Sequence, residues 1–428
     1  MLFLLFLSFM LGLSLLLPWN ALLKSLPYMM TRIPAEWRDT APLWYTLTFT
    51  LTNCLVLVGL TASDFDSRII RRIYRSQSSP GTERIVSGRL YGGLVGCGVL
   101  LAVGCAVPLI DLFRNNPNPS SSANLILFWG LFMCTGWFMS LLQRSVYPMM
   151  SLLPGKKEQL ISAMLTGQAA AGILASIGSF LFANKSENDA NVDKKGAGMA
   201  LIYFSCSIAA LILTALLYKY HQSHQNLEDK QDKLEISENK PEFSLKMVKE
   251  TLKLISPWPQ LLALNFIITL SIFPGLLTSS ARSLSPSNQN YFIPTTFLTF
   301  DAFDLIGKVM PSVCIGSLGR LLSHKSRVAK LFPIARVSFI PLFVILPNFS
   351  LYKQDTIKSD SLYFIALALM AWTSGWGNAI CLINGPAQAQ AQTDDLNDKI
   401  GGLMGLSITV GLVGGSFMSF ILKKAIFN

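Results

Sequence analysis

Charge is scarce in this chain and histidine scarcer. Only 14% of its 428 residues are Asp, Glu, Lys or Arg, and three are histidine. A soluble domain carries about 25% charged residues, so the shortage excludes an ordinary water-facing surface. The seven cysteines (54, 97, 105, 134, 206, 314, 381) form no CxxC pair and all lie in apolar runs, which excludes a disulfide framework and points to small core residues. His221, His224 and His324 make no ligand set with cysteines or clustered acids, so no metal or other cofactor is expected. HExxH, a Ser/Lys dyad and GxGD are all missing, which leaves an intramembrane enzyme without machinery. The first twenty residues lack a basic n-region and a small-residue cleavage site. They read as a retained first helix starting almost at Met1, with no tail for sorting signals.

Long apolar runs are abundant. Hydrophobic residues make up 51% of the chain, and the mean hydropathy is +0.45. Stretches of about 20 apolar residues, each enough to cross a ~30 Å hydrocarbon core, fall at 2–27, 43–63, 89–113, 124–150, 159–183, 198–218, 257–280, 291–318, 331–349, 361–385 and 400–422. They lack period-2 alternation, and lipid admits only helices or closed barrels. The expected fold is an all-α polytopic membrane protein with about eleven transmembrane helices. The polar, charged stretch 222–246 is too poor in large apolar residues to form a core. It divides the chain into a six-helix half (1–221), a cytosolic linker (222–256) and a five-helix half (257–428).

The net charge of +11 is distributed by side. With the N-terminus cytosolic, nineteen Lys and Arg fall in cytosolic loops, eleven on the opposite side and five within spans (Lys24, Arg89, Arg144, Lys308, Arg336). That bias places the N-terminus inside and the C-terminus on the extracellular or luminal side, and argues for a lipid bilayer rather than nucleic acid as the partner. Plasma membrane and endomembrane are not distinguished. An Asn184-Lys-Ser186 acceptor sequon lies in a loop on the outer side. Nothing in the chain calls for an obligate protein partner.

Three charges interrupt the stretch FLTFDAFDLIGKVMPSV: Asp301, Asp304 and Lys308. At 100° per residue they fall within about 60° of one another on one helical face, and Asp304 and Lys308 are an i,i+4 acid-to-base pair. Charges at bilayer depth need a partner or a role. The stripe faces a polar cavity through the protein, or it is an ion pair locking two helices. Asp301 either titrates or stays ionised beside Lys308 or Arg336. Small residues recur at GxxxG spacing (Gly92/Gly96, Gly401/Gly405, Gly411/Gly415), and Gly167 and Gly172 flank an alanine run. Such residues allow close helix approach, for static packing or for sliding.

Seven motifs then appear in order: LLPWN (16–20), LLQ (141–143), TGQAAAG (166–172), YFIPTTFLTFDAFDLIGK (291–308), IARVSFIPL (334–342), GWGNAICLINGP (375–386) and GGLMGLSITVGLVGGSFMSFIL (401–422). Together they resemble the equilibrative nucleoside transporter family, solute carrier family 29 in animals. The resemblance covers essentially the whole chain. It implies an eleven-helix, major-facilitator-like bundle, with a central site open alternately to each side. It also implies facilitative transport of nucleosides, with nucleobases as further candidates. Leu16 and Trp19 match positions lining the substrate cavity, and Leu23 a cavity position that also influences inhibitors. Gln143 matches a glutamine that contacts the base, Asp304 an acidic residue of the eighth helix, and Phe273 with Pro274 and Phe297 apolar cavity positions. Pro18, Asn20, Gly167, Gly172 and Arg336 fall at helix-packing or gating positions.

The sequence departs from the family at three places. Lys308 stands where arginine is usual and cannot make its bidentate fork. Asp301 replaces a common asparagine, and Arg144 follows Gln143 where glycine is common. The chemistry suits a nucleoside: aromatic walls stack a flat base, an amide such as Gln143 offers donor and acceptor, and a carboxylate such as Asp304 accepts from sugar hydroxyls. Each residue also has a plainer reading: Trp19 as an interfacial belt residue, Gln143 as an interhelical bond, the phenylalanines as lipid-facing. The alternative function is a carrier of organic cations or other small solutes on the same fold, proton-coupled in one version. Asp301 and Asp304 against Lys308 leave a net charge of −1, which suits an amine.

Overall fold

The computed structural model describes residues 1–38, 40–63, 82–113, 121–183, 192–228, 245–273, 289–345, 356–389 and 394–427. Among these, regular structure is entirely helical. The first half contains α1 (Leu2–Thr31), α2 (Ala41–Ser63), α3 (Thr82–Gly104), α4 (Ala106–Phe113), α5 (Ser122–Leu152), α6 (Lys157–Ala183) and α7 (Val192–Glu228). The second contains α8 (Leu245–Ile255), α9 (Trp258–Ile272), α10 (Gln289–Leu322), α11 (Arg327–Ala335), α12 (Phe339–Ile345), α13 (Thr356–Ala389) and α14 (Asp394–Phe427). Short 3₁₀ turns lie at Ala35–Trp37 and Arg336–Ser338.

Nine helical segments among the described residues are long and apolar enough to cross a membrane, and α8 with α9 is long and apolar enough only as a pair, bent by 76° at the break between them. The 34-residue α10 also has the length to cross, with its three charges near the middle. Among the described residues, each apolar stretch expected from the sequence falls on helix. Two are broken: α3 and α4 part at Cys105, and α11 and α12 at the 3₁₀ turn that carries Arg336.

Each half is held by a glycine-lined contact. In the first, α6 packs on α1 so closely that a Cβ at Gly167 would lie 1.9 Å from the Phe9 carbonyl oxygen. In the second, a Cβ at Gly375 of α13 would lie 2.1 Å from the Asp304 carbonyl oxygen of α10. Only glycine permits backbone contact of this kind. Around these pairs, α7 lies on α1, α2 and α3 lie on α5, and α9 packs on α13 and α14. The halves meet along α6 with α10, and along α14 with α2 and α5.

Helix extends into both ends of the charged stretch, to Glu228 and from Leu245. α7 continues to Glu228 because its polar end is tied to α3: Gln222 donates to Ser87 Oγ at 2.9 Å and accepts from the Tyr91 hydroxyl at 3.2 Å. α8 is amphipathic, with Thr251 and Ile255 buried and Lys249, Glu250 and Lys253 exposed. The end of the bundle where α7 finishes and α8 begins is the linker face. Residues 229–244, the sequon at 184–186 and Pro274 lie outside the described residues.

Candidate functional site

From Met10 to Leu26, every residue of α1 is buried except Leu16, Trp19, Asn20, Leu23 and Lys24. At 100° per residue these five span an arc of about 140°. A lipid-facing stripe would put an amide and an ammonium into hydrocarbon, at a cost of several kcal/mol. This stripe therefore borders polar space inside the bundle. Trp19 stacks on Phe49 of α2 with ring centres 4.1 Å apart and meets Phe132 of α5 edge-on at 6.2 Å. Tyr45 stacks on the same Phe132 at 5.1 Å. Pro18 is buried behind the stripe.

The second half answers with another aromatic group. Phe273, just after α9, stacks on Phe300 of α10 at 4.0 Å and meets Phe297 edge-on at 5.0 Å. Lys24 joins the two sides: its ammonium sits 3.8 Å from the centre of the Phe297 ring and donates to Ser176 Oγ of α6 at 3.2 Å. The Ser176 hydroxyl in turn donates to Asp301 Oδ2 at 2.5 Å. Gly172 leaves room for this carboxylate, since a Cβ there would fall 2.8 Å from Asp301 Oδ1. Asp301 is thus seated against α6, with Ser176 and Lys24 as its neighbours in place of Lys308 or Arg336.

One turn further along α10, Asp304 Oδ2 accepts from Lys308 Nζ at 2.6 Å, both side chains largely buried. The i,i+4 pair expected from spacing is present. Arg336 is 2% exposed and braces α9 and α13. It donates to the Asn265 carbonyl oxygen at 3.1 Å, to Asn265 Oδ1, to Thr269 Oγ1 at 2.9 Å, to the Met370 carbonyl oxygen at 3.3 Å and to Thr373 Oγ1 at 3.2 Å. Gln143 is buried, and its Oε1 accepts from Thr409 Oγ1 of α14 at 3.0 Å. The structure places Phe297, Ser176 and Asp301 around Lys24, with Phe273 beside Phe297 and Leu23 next to Lys24 on α1. It sets Trp19 against Phe49 and Phe132 at the other edge of the α1 stripe, keeps Asp304 and Lys308 next along α10, and holds Gln143 and Arg336 in separate interhelical webs.

A second charged cluster closes the linker face. Asp398, at the start of α14, accepts from Arg144 Nη1 at 2.7 Å and Nη2 at 2.6 Å, and from Arg89 Nη1 at 3.3 Å. Arg144 also donates to the Asp398 carbonyl oxygen at 2.9 Å. Arg144 of α5 and Arg89 of α3 belong to the first half and Asp398 to the second, so the cluster pins the halves together. Gly401 and Gly402 allow it, lying against Pro148 and the Arg144 guanidinium.

Sequence reasoning missed Lys24, Ser176 and Asp398 as members of these clusters. For Lys24 a signal existed: it is an in-span cation one helical turn after Asn20, on the face that carries Leu16 and Leu23. Ser176 and Asp398 are marked only by the partners that the fold brings to them.

The family model described as "Nucleoside transporter" matches residues 131–424. Human equilibrative nucleoside transporter 1 is 23% identical over 98% of this chain and 96% of its own length. Human equilibrative nucleoside transporter 2 is 25% identical over 97% and 95%. Nucleoside transporter 1.2 of Leishmania donovani is 30% identical over 37% of this chain and 30% of its own length. Among solved structures, a bacterial homologue of the iron transporter ferroportin in an outward-facing state superposes with a TM-score of 0.54 at 13% identity, covering 97% of this chain and 96% of that one. That last likeness concerns the fold alone, an all-helical bundle.

Proposed function

Because this chain belongs to the nucleoside transporter family, we propose that it carries nucleosides across a membrane by facilitated diffusion, its two halves alternately opening a central site to either side. The chain is an integral multi-pass membrane transporter and not an enzyme. The observation that carries the substrate reading is the partly exposed stripe of α1, Leu16, Trp19, Asn20, Leu23 and Lys24, which meets the aromatic group of α10 where Lys24 lies over Phe297. Flat rings on both sides suit a base, and polar groups beside them suit its edges and the sugar. The substrate-binding set is then Leu16, Trp19, Leu23, Phe273, Phe297, Asp301, Asp304 and Lys308. Gln143 belongs to it if its amide exchanges Thr409 for a base.

Charge favours this reading over an organic cation. Lys24 joins Lys308 against Asp301 and Asp304, so the site sums to zero and offers no surplus carboxylate to an amine. The halves 1–221 and 257–428 act as the moving bodies, and the excess of Lys and Arg at the linker face orients that face and the N-terminus to the cytosol.

Uptake of radiolabelled uridine and of a radiolabelled monoamine into transport-deficient cells expressing the chain tests the reading. Saturable uridine entry that stops at the external concentration is expected. Monoamine entry without uridine entry, from a protein present in the membrane, would replace the nucleoside by a cation.

A further inference from the structure

We infer that Lys24 determines base specificity: its ammonium donates to the exocyclic carbonyl oxygen of an oxo-base, so the carrier favours uridine and inosine over cytidine and adenosine. This deepens the nucleoside-carrier reading and rests on it.

Lys24 lies one helical turn beyond the LLPWN motif, on the same partly exposed α1 stripe as Leu16, Asn20 and Leu23, with Trp19 at the stripe's opposite edge. Its ammonium lies against Phe297, whose neighbours Phe273 and Phe300 complete an aromatic surface. A base lying beside this aromatic group brings its edge to Lys24. The sugar has its own partners further along: Asp304 and Lys308 begin seven residues after Phe297, about 10 Å along the helix axis, close to the length of a nucleoside. Asp301 does not compete for the substrate edge. One of its oxygens accepts from Ser176 and the other faces Gly172 of α6.

A lysine ammonium has three donors and no acceptor. One donor is committed to Ser176, and no other hydrogen bond from Lys24 is present among the described residues. An oxygen at O4 of uracil or O6 of hypoxanthine accepts from a remaining N–H. The amino group of cytosine or adenine at the same place points donor against donor, and one of the two goes unpaired. Sites built to hydrogen-bond a group discriminate in this manner. Asp301 completes the device. It balances the ammonium from the α6 side through Ser176, so the charge persists at mid-membrane without consuming the face turned to substrate.

The test uses the purified full-length protein in liposomes, measuring kcat/KM for uptake of uridine, cytidine, inosine and adenosine. Uridine over cytidine and inosine over adenosine should each reach about tenfold, equivalent to about 1.4 kcal/mol. Lys24→Met combined with Asp301→Asn removes both charges together, leaving neither alone, and both ratios should fall to within about twofold of one. Ratios near one in the wild-type protein overturn the inference, whether or not the double variant folds. Full ratios retained in a folded double variant overturn it as well. Absence of uptake of all four nucleosides by folded wild-type protein overturns the carrier reading and this inference together.

Discussion

Removing the Asp398 carboxylate should open the linker face. In the wild-type structure that carboxylate accepts two hydrogen bonds from Arg144 and one from Arg89, with side-chain exposures of 3% and 1% for the arginines and 11% for the acid. Asp398→Ala strips the shared anion from two buried guanidinium groups of the first half, which face it across the boundary between the halves. Breaking a buried pair by deleting one partner costs about 3–5 kcal/mol. The anion bridges the halves only while this face is closed, so most of that loss falls on the closed state. A shift of 3–5 kcal/mol changes the open-to-closed ratio by about a hundredfold to a few thousandfold. Ser140, fully buried one turn of α5 deeper than Arg144, reports on the opening. With the native cysteines replaced by alanine, a cysteine at 140 should react with a water-soluble maleimide far faster in Asp398→Ala than in the parent. Asp398→Glu, which keeps the charge, should label slowly. Equal labelling rates in parent and Asp398→Ala, with both proteins monodisperse in detergent, would refute the assignment of the cluster as the closure of this face.

What the sequence disclosed and what it hid divide by distance along the chain. The spans were legible because about 20 consecutive apolar residues have no use in a soluble chain. The Asp304–Lys308 pair was legible because four residues set its geometry before any tertiary contact forms. The cavity face of α1 was not. A helix whose other faces touch lipid and other helices is apolar nearly all round, so its periodicity fades, and Leu16 reads no differently from Leu17 until one is found half-exposed and the other buried. Lys24 stood out only as a charge in a span. Its role depends on Ser176, 152 residues away, and on Asp301, a further 125 from Ser176. Arg144 read only as a departure from the family pattern. Its meaning lies 254 residues downstream at Asp398. The same holds for the end of α7, which looked like linker by composition and is helix because Gln222 finds Ser87 and Tyr91.

Two further outcomes follow from the buried polar groups. Asp304→Ala or Lys308→Ala each leaves the other charge of a 2.6 Å pair without its partner. A loss of about 3–5 kcal/mol should depress surface expression and uptake together, while Lys308→Arg should keep both; normal uptake by either alanine variant contradicts the pairing. Gln143 presents the sharper choice, since its Oε1 accepts from Thr409 at 3.0 Å and the residue is either a base contact or a brace between α5 and α14. Thr409→Val removes the brace and leaves the amide free, whereas Gln143→Ala removes both. If the amide reaches substrate, Gln143→Ala raises KM about tenfold, the loss of about 1.4 kcal/mol expected for one or two buried hydrogen bonds, and Thr409→Val leaves KM near the parent value. Equal shifts in the two variants at equal expression make Gln143 a packing residue, because a brace is lost equally from either end.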